Sequence, residues 1–278
     1  MATDLSALTL WLGDGRRMGY ADYGDRSGRP AFFFHGAPGS RLSAALLDEQ
    51  ARDAGVRLIA LDRPGFGLSS PQPGRDRAEW ADDVAEVADH LGLDRFLVVG
   101  WSAGGPYALA AAAFLPERVS AVGVIAGVDR LQHLHPQLLR NLWSLRVSFG
   151  DADRWSDRLA RAWLRTKKVA GSGVEATQAS AGTLARGIRE SLRDGPSGVF
   201  HELRLLGSEW NFDPSRIRNV PVRFWHGLDD AVISTKHTRE QCARIPGAQA
   251  TYLPNCGHVT LMTVHGREIL NELTRLAT

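Results

Sequence analysis

The sequence predicts an α/β protein: a mostly parallel eight-stranded sheet, helices on both faces, and a helical segment inserted between two strands. Three observations carry this reading. Short, near-continuous apolar runs such as Ala31–Phe34, Val56–Leu61 and Val119–Ala126 alternate with helical stretches, as strands buried on both faces do. The run Phe96–Val99 ends in Gly100-Trp101-Ser102-Ala103-Gly104-Gly105 and passes straight into an alanine-rich helix. Between residues 130 and 214 the strand rhythm stops, and it resumes afterwards.

The elements follow in order. Leu8–Leu12 and Met18–Tyr23 flank Gly13-Asp14-Gly15 and read as a hairpin at the start of the sheet. Ala31–Phe34 is a fully apolar strand ending in His35-Gly36-Ala37-Pro38-Gly39-Ser40, and a helix is expected over 41–54. Val56–Leu61 is the next strand, closing at Asp62-Arg63-Pro64-Gly65-Phe66-Gly67. Over 77–91, Trp80, Val84, Val87, Ala88 and Leu91 recur at helical spacing. After the serine turn come a helix over 105–115 and the strand Val119–Ala126. Residues 130–214 read as helical, with Gly171-Ser172-Gly173 and 194–198 as loops. Their aromatics are Trp143, Phe149, Trp155, Trp163, Phe200, Trp210 and Phe212. The sheet returns with Val220–Trp225, followed by His226-Gly227-Leu228-Asp229-Asp230. A helix over 236–245, a strand over 248–253, the turn Pro254-Asn255-Cys256-Gly257-His258 and a helix over 261–276 finish the chain. The predicted division is a core of 1–129 and 215–278 with a cap of 130–214 inserted after the sixth strand.

A serine at a strand-to-helix turn flanked by glycines is held in a strained conformation. Its hydroxyl is lifted above the sheet edge and lies over a helix N-terminus. That setting suits a nucleophile, but a neutral hydroxyl attacks poorly without a base in reach. His258 lies in a turn after the last strand, a place from which such a base could reach a strand end. His265, within the final helix, is a weaker candidate. His90, His133, His135, His201 and His237 read as solvated or cap residues, and His226 as a support for the loop beside it.

Composition narrows the function. The chain has 278 residues, 44% hydrophobic and 23% charged, with a net charge of +2. This near-neutral balance gives no reason to expect nucleic acid or an anionic membrane as a partner. Residues 1–14 lack the basic start and long apolar stretch of a signal peptide, and no run approaches a bilayer span. A cytoplasmic protein, monomer or homodimer, acting on a small molecule is expected. Cys242 and Cys256 form neither a disulfide framework nor a metal cluster, and no cofactor or metal is expected. Cys256 reads as an inert thiol or as one whose modification would jam the neighbouring base.

Four motifs in this order, the His35-Gly36 loop, the Gly100–Gly104 turn, the acid after the seventh strand and the late Gly257-His258, resemble the α/β-hydrolase family of Ser-Asp-His type. The resemblance covers the chain outside residues 130–214. It implies Ser102 as nucleophile, His258 as base and Asp230 as orienting acid, with Asp229 a neighbour in the turn. Asp129, after the sixth strand, is the alternative acid. It also implies an oxyanion hole from the backbone N–H groups of Ala37 and Ala103, Pro38 having none to give. His35, Asp62 and Arg63 are expected to tie loops together, and Trp101 to pack. Family members that carry an aspartate in the turn, haloalkane dehalogenases and epoxide hydrolases, do not fit Ser102. Proline iminopeptidases, with a Gly-Gly-Ser-Trp-Gly turn, do not fit either.

The activity expected is hydrolysis of a small to medium, largely apolar carboxylic ester. Cleavage of a carbon–carbon bond in a diketone-type metabolite, or ligand binding without turnover, remain alternatives. The substrate-binding residues are not identified. The cap aromatics suit an apolar pocket, although most read as the cap's own small core.

Overall fold

Eight strands form one sheet in the order β1-β2-β4-β3-β5-β6-β7-β8. They are β1 (Leu8–Trp11), β2 (Arg17–Gly24), β3 (Arg29–Phe34), β4 (Val56–Leu61), β5 (Phe96–Trp101), β6 (Val119–Ile125), β7 (Val222–Gly227) and β8 (Gln249–Leu253). The structure is a computed structural model and describes residues 4–130 and 174–277, with side chains from 178 onward in the second stretch. β2 runs antiparallel to both β1 and β4, and every other pairing is parallel.

Alternation along the strands explains why the apolar runs have no polar side. On β3, Ala31 and Phe33 enter one core cluster while Phe32 and Phe34 enter the other. On β5, Leu97, Val99 and Trp101 share the first face, and Phe96 and Val98 the second. The first face is covered by α1 (Asp48–Asp53) and α7 (Thr260–Leu276), which bring Ala51, Leu261, Met262, Ile269, Leu270 and Leu273. The second is covered by α2 (Glu79–His90) and α3 (Gly105–Phe114), with Trp80, Val84, Val87 and Ala88 of the predicted stripe all buried. Edge-to-face ring pairs tie strands to each other and to a helix: Phe32–Phe96 at 4.8 Å and Phe34–Trp80 at 5.2 Å.

Two local expectations are corrected. The helix expected over 41–54 is split into a 3-10 segment, Arg41–Leu47, and the short α1. At its start the backbone N–H and guanidinium of Arg41 both bind Asp62, at 2.7 Å each, which draws the first turn against the end of β4. The loop expected over 194–198 is shorter, because Ser197 and Gly198 already begin α5 (Ser197–Leu206).

α5 and α4 (Val174–Ser191) lie in sequence between β6 and β7. Among the described residues, their clustered apolar side chains join the core of the sheet rather than a cluster of their own. Leu184, Ala185, Ile188 and Leu206 join the cluster on the first face of the sheet. Trp143, Phe149, Trp155, Trp163, His133, His135 and the 171–173 loop lie outside the described residues. α6 (Thr235–Ala243) follows β7, capped by the Ser234 hydroxyl. No helix of the described residues is long and apolar enough to cross a membrane.

The topology positions the site. From β3 the chain order runs outward one way to β4 and the other way through β5 to β8. In open α/β sheets, ligands collect at the carboxyl ends of the strands where the order reverses. That point lies between β3 and β5, where the His35–Ser40 loop meets Ser102.

Candidate active site

Ser102 leaves the end of β5 with φ of 55°, a left-handed conformation that costs a residue with a side chain about 1–3 kcal/mol. The flanking glycines are a steric requirement. A β-carbon on Gly100 would lie 2.5 Å from the Gly104 carbonyl oxygen and 2.8 Å from Ala108 Cβ. One on Gly104 would strike the carbonyl of Phe34 at the end of β3. One on Gly36 would stand 3.1 Å from Ser102 Cβ, so the β3 loop passes directly over the serine.

The Ala37 and Ala103 amides flank this contact, one in the β3 loop and one in the first turn after β5. The β3 loop is held from beneath by His35, which is wholly buried. Its Nδ1 donates to the Gly36 carbonyl at 2.7 Å, and its Nε2 accepts the Arg63 backbone N–H at 3.2 Å. Those two bonds define a neutral ring. Burial and the nearby Arg63 charge hold its pKa well below the ordinary histidine value, in agreement.

His258 is brought in by the turn after β8, where Asn255 takes the left-handed conformation that asparagine tolerates. Its imidazole is buried and Nδ1 lies 2.8 Å from Asp230 Oδ2. With Nδ1–H given to the carboxylate, Nε2 is the basic nitrogen of the neutral ring. Trp101, wholly buried beside Ser102, donates its indole N–H to the His258 carbonyl at 3.1 Å, and its ring lies 5.3 Å from the imidazole. The side chains of 102 and 258 are thus keyed to each other through residue 101.

Asp230 is saturated. Its Oδ1 accepts the backbone N–H groups of Val232 at 2.7 Å and Ile233 at 2.9 Å. Its Oδ2 faces His258 and, at 3.3 Å, Nε2 of His226. Burial would raise this carboxyl, but the two histidines outweigh it and hold its pKa far below the usual range. His226 is pinned by the Thr238 hydroxyl at 2.6 Å and the Ile233 carbonyl at 3.0 Å, so it supports the loop as expected.

Other expectations change. His237 is neither solvated nor in the inserted segment: it is buried, accepts the Asp129 backbone N–H at 3.2 Å and lies 3.1 Å from Asp129 Oδ1. Asp129 is therefore matched to His237, and Asp230 to His258. His265 bonds Glu268 within its own helix. His201, half-buried, donates from Nε2 to the Arg75 carbonyl at 3.0 Å, and His90 is exposed. Burial pushes the Cys256 thiol up, which keeps it protonated and slow to react. Trp210 and Phe212 stack on each other at 4.9 Å and pack against Phe114, at the end of α3 far from the serine.

The sequence reading missed a buried charge cluster behind the loops. Glu202 of α5 meets Arg63 after β4, Arg75, and Tyr107 of α3, all wholly or nearly buried. A second tie joins Arg41 to Glu190 of α4 at 2.8 Å. The only sequence signal was the presence of acids at 190 and 202 in a segment rich in arginine.

The chain is similar to several known proteins. Over 260 residues the chain is 28% identical to 2-hydroxymuconate semialdehyde hydrolase of Pseudomonas putida, covering 90% of this chain and 86% of that protein. It is also 28% identical over 260 residues to a dihydrolipoyllysine-residue acetyltransferase component of an acetoin cleaving system from the same organism. There the match takes 89% of this chain but 63% of the relative's length. An esterase from Rhodococcus sp. ECU1013 superposes with a TM-score of 0.75 at 23% identity, over 98% of this chain and 99% of that one. Residues 30–263 match the family described as alpha/beta hydrolase fold, and with the sheet order above, the chain belongs to the α/β-hydrolase fold family.

Proposed function

We propose that this protein is a serine hydrolase that cleaves carboxylic esters through an acyl-enzyme on Ser102. The observation that carries the reading is the His258–Asp230 pair at 2.8 Å, set in the loops at the same sheet edge as a left-handed serine. Ser102 Oγ bonds to the ester carbonyl carbon while His258 Nε2 takes the hydroxyl proton. The carbonyl oxygen becomes an oxyanion between the amides of Ala37 and Ala103. When it collapses, the bond to the alkoxy oxygen breaks and His258 returns the proton to the leaving alcohol. Water then adds to the acyl carbon, giving its proton to His258, and the acid departs as Ser102 regains a proton. Asp230 keeps the imidazole in the Nδ1–H tautomer throughout and stabilises its cation.

Residues 130–214 are proposed as a cap over this edge that sets the acyl pocket. A second reading, hydrolysis of a carbon–carbon bond next to a ketone, is favoured by the semialdehyde hydrolase relative and would use the same residues. Turnover of p-nitrophenyl esters of increasing acyl length tests the proposal, with Ser102→Ala as control. Turnover that the variant loses by about three orders of magnitude or more supports it. A folded wild-type protein inert on every ester overturns it and turns attention to the carbon–carbon reaction.

A further inference from the structure

We infer that Glu202 is a positioning residue that sets both donors of the proposed oxyanion hole, coupling the docking of α5 to catalysis. This rests on the ester-hydrolase reading of Ser102.

The geometry is specific. A single carboxylate oxygen, Glu202 Oε2, lies 3.3 Å from Arg63 Nε, 2.8 Å from the Tyr107 hydroxyl and 3.5 Å from Arg75 Nη2. Each of the first two partners leads to one oxyanion donor. Arg63 turns its guanidinium onto the β3 loop, where Nη1 binds the His35 carbonyl and Nη2 the Gly36 carbonyl at 3.5 Å. The Gly36 carbonyl belongs to the same peptide unit as the Ala37 N–H. Fixing one fixes the direction of the other, because the peptide is planar. Tyr107 stands on α3, the helix that begins just past Ala103, and its ring lies 4.7 Å beneath the Arg63 guanidinium. The hydroxyl that Glu202 receives therefore anchors the helix that continues directly from the Ser102–Gly104 turn, which carries the second donor.

A merely adhesive role needs none of this convergence. Glu202 is 0% exposed, and so is Arg63, so both charges have given up water. Their pairing is worth little as stability against a well-packed apolar alternative, and buried pairs are better suited to fixing one arrangement. Arg75 completes the bracket by donating to the Tyr107 hydroxyl at 2.9 Å. The device resembles a keystone: when α5 sits down, two loops from different strands are locked at one spacing. Oxyanion stabilisation depends on donors held ready before charge develops, so slack of a few tenths of an ångström is enough to cost rate.

The test is Glu202→Gln, which keeps shape and an acceptor but removes the charge that orients Arg63. Its kcat on the best p-nitrophenyl ester is expected to fall about tenfold to a hundredfold, part of the loss seen on deleting a donor, with KM within about twofold. Affinity for an aryl boronic acid, which forms a tetrahedral adduct on the serine, should fall by a similar factor. Glu202→Asp, which restores the charge, should recover part of both. A Glu202→Gln protein that melts lower but keeps wild-type kcat and boronate affinity would make Glu202 a tether only, and overturn the inference. Should that variant not fold, Tyr107→Phe, which removes one bond to Glu202, is read by the same two constants. A wild type without ester turnover removes the hydrolase reading, and the inference falls with it; normal wild-type turnover with unchanged variants sinks the inference alone.

Discussion

At the scale of single residues, the four contacts on Asp230 predict what its amide would do. Oδ1 takes two backbone N–H groups, from Val232 and Ile233, and so must remain an oxygen in Asp230→Asn. The amide nitrogen then faces His258 Nδ1. An N–H against that nitrogen forces the proton onto Nε2, leaving no base for Ser102. The same replacement in serine proteases of another fold costs about 10⁴ in kcat, and a loss of that order is expected here with folding retained. Steady-state kinetics beside a melting curve checks it; an active Asp230→Asn would remove Asp230 from the proposed triad. Because the carboxyl is held far below its ordinary range, Asp230 stays ionised wherever activity is assayed. Protonation of Asp230 should then contribute nothing to any loss of rate on the acid side.

At the scale of elements, the turn between β5 and α3 has no slack. Gly100→Ala would place a methyl 2.5 Å from the Gly104 carbonyl, which belongs to the turn itself and cannot swing aside. A destabilisation of about 2 kcal/mol or more is expected in chemical denaturation, together with lower activity, since Ser102 moves with the turn. Wild-type stability in that variant would mean the turn is softer than its geometry. This element was legible in the sequence because its requirements are local: apolar strand, glycine, serine, glycine, helix. The strands were legible for the same reason, since Phe32 and Phe33 point to opposite buried faces and leave no polar position to interrupt the run. The tie at the start of the 3-10 segment was not, because Arg41 reaches Asp62, 21 residues away in sequence. His237 looked like a surface residue for the same reason. Its partner, Asp129, lies 108 residues earlier. Likewise nothing near Glu202 in sequence announces Arg63, Arg75 or Tyr107.

At the scale of the whole molecule, helices α4 and α5 are held to the sheet by buried charge as well as by apolar contact, and this makes the attachment of α5 depend on pH. Burial alone would raise the Glu202 carboxyl, but Arg63, Arg75, Arg77 and the Tyr107 hydroxyl outweigh it and hold it below its ordinary value. A carboxyl depressed in the folded state adds stability above its unfolded pKa, near 4.5, and loses that stability as pH falls toward the folded value. Removing one member of a buried pair leaves the rest uncompensated, at a cost of about 3–5 kcal/mol. Glu202→Gln should therefore be less stable than wild type by roughly that amount at pH 7. Below pH 4.5 the carboxyl of the unfolded chain takes up its proton first and the folded one only at lower pH, so the wild type loses this stability and the gap should narrow steadily. Urea titrations of both proteins at several pH values between 7 and 3 measure it directly. A gap that stays constant would show that the carboxyl titrates alike in the folded and unfolded chains, so that the arginines exert no net pull on it. One that widens toward acid would reverse the sign assigned to its environment.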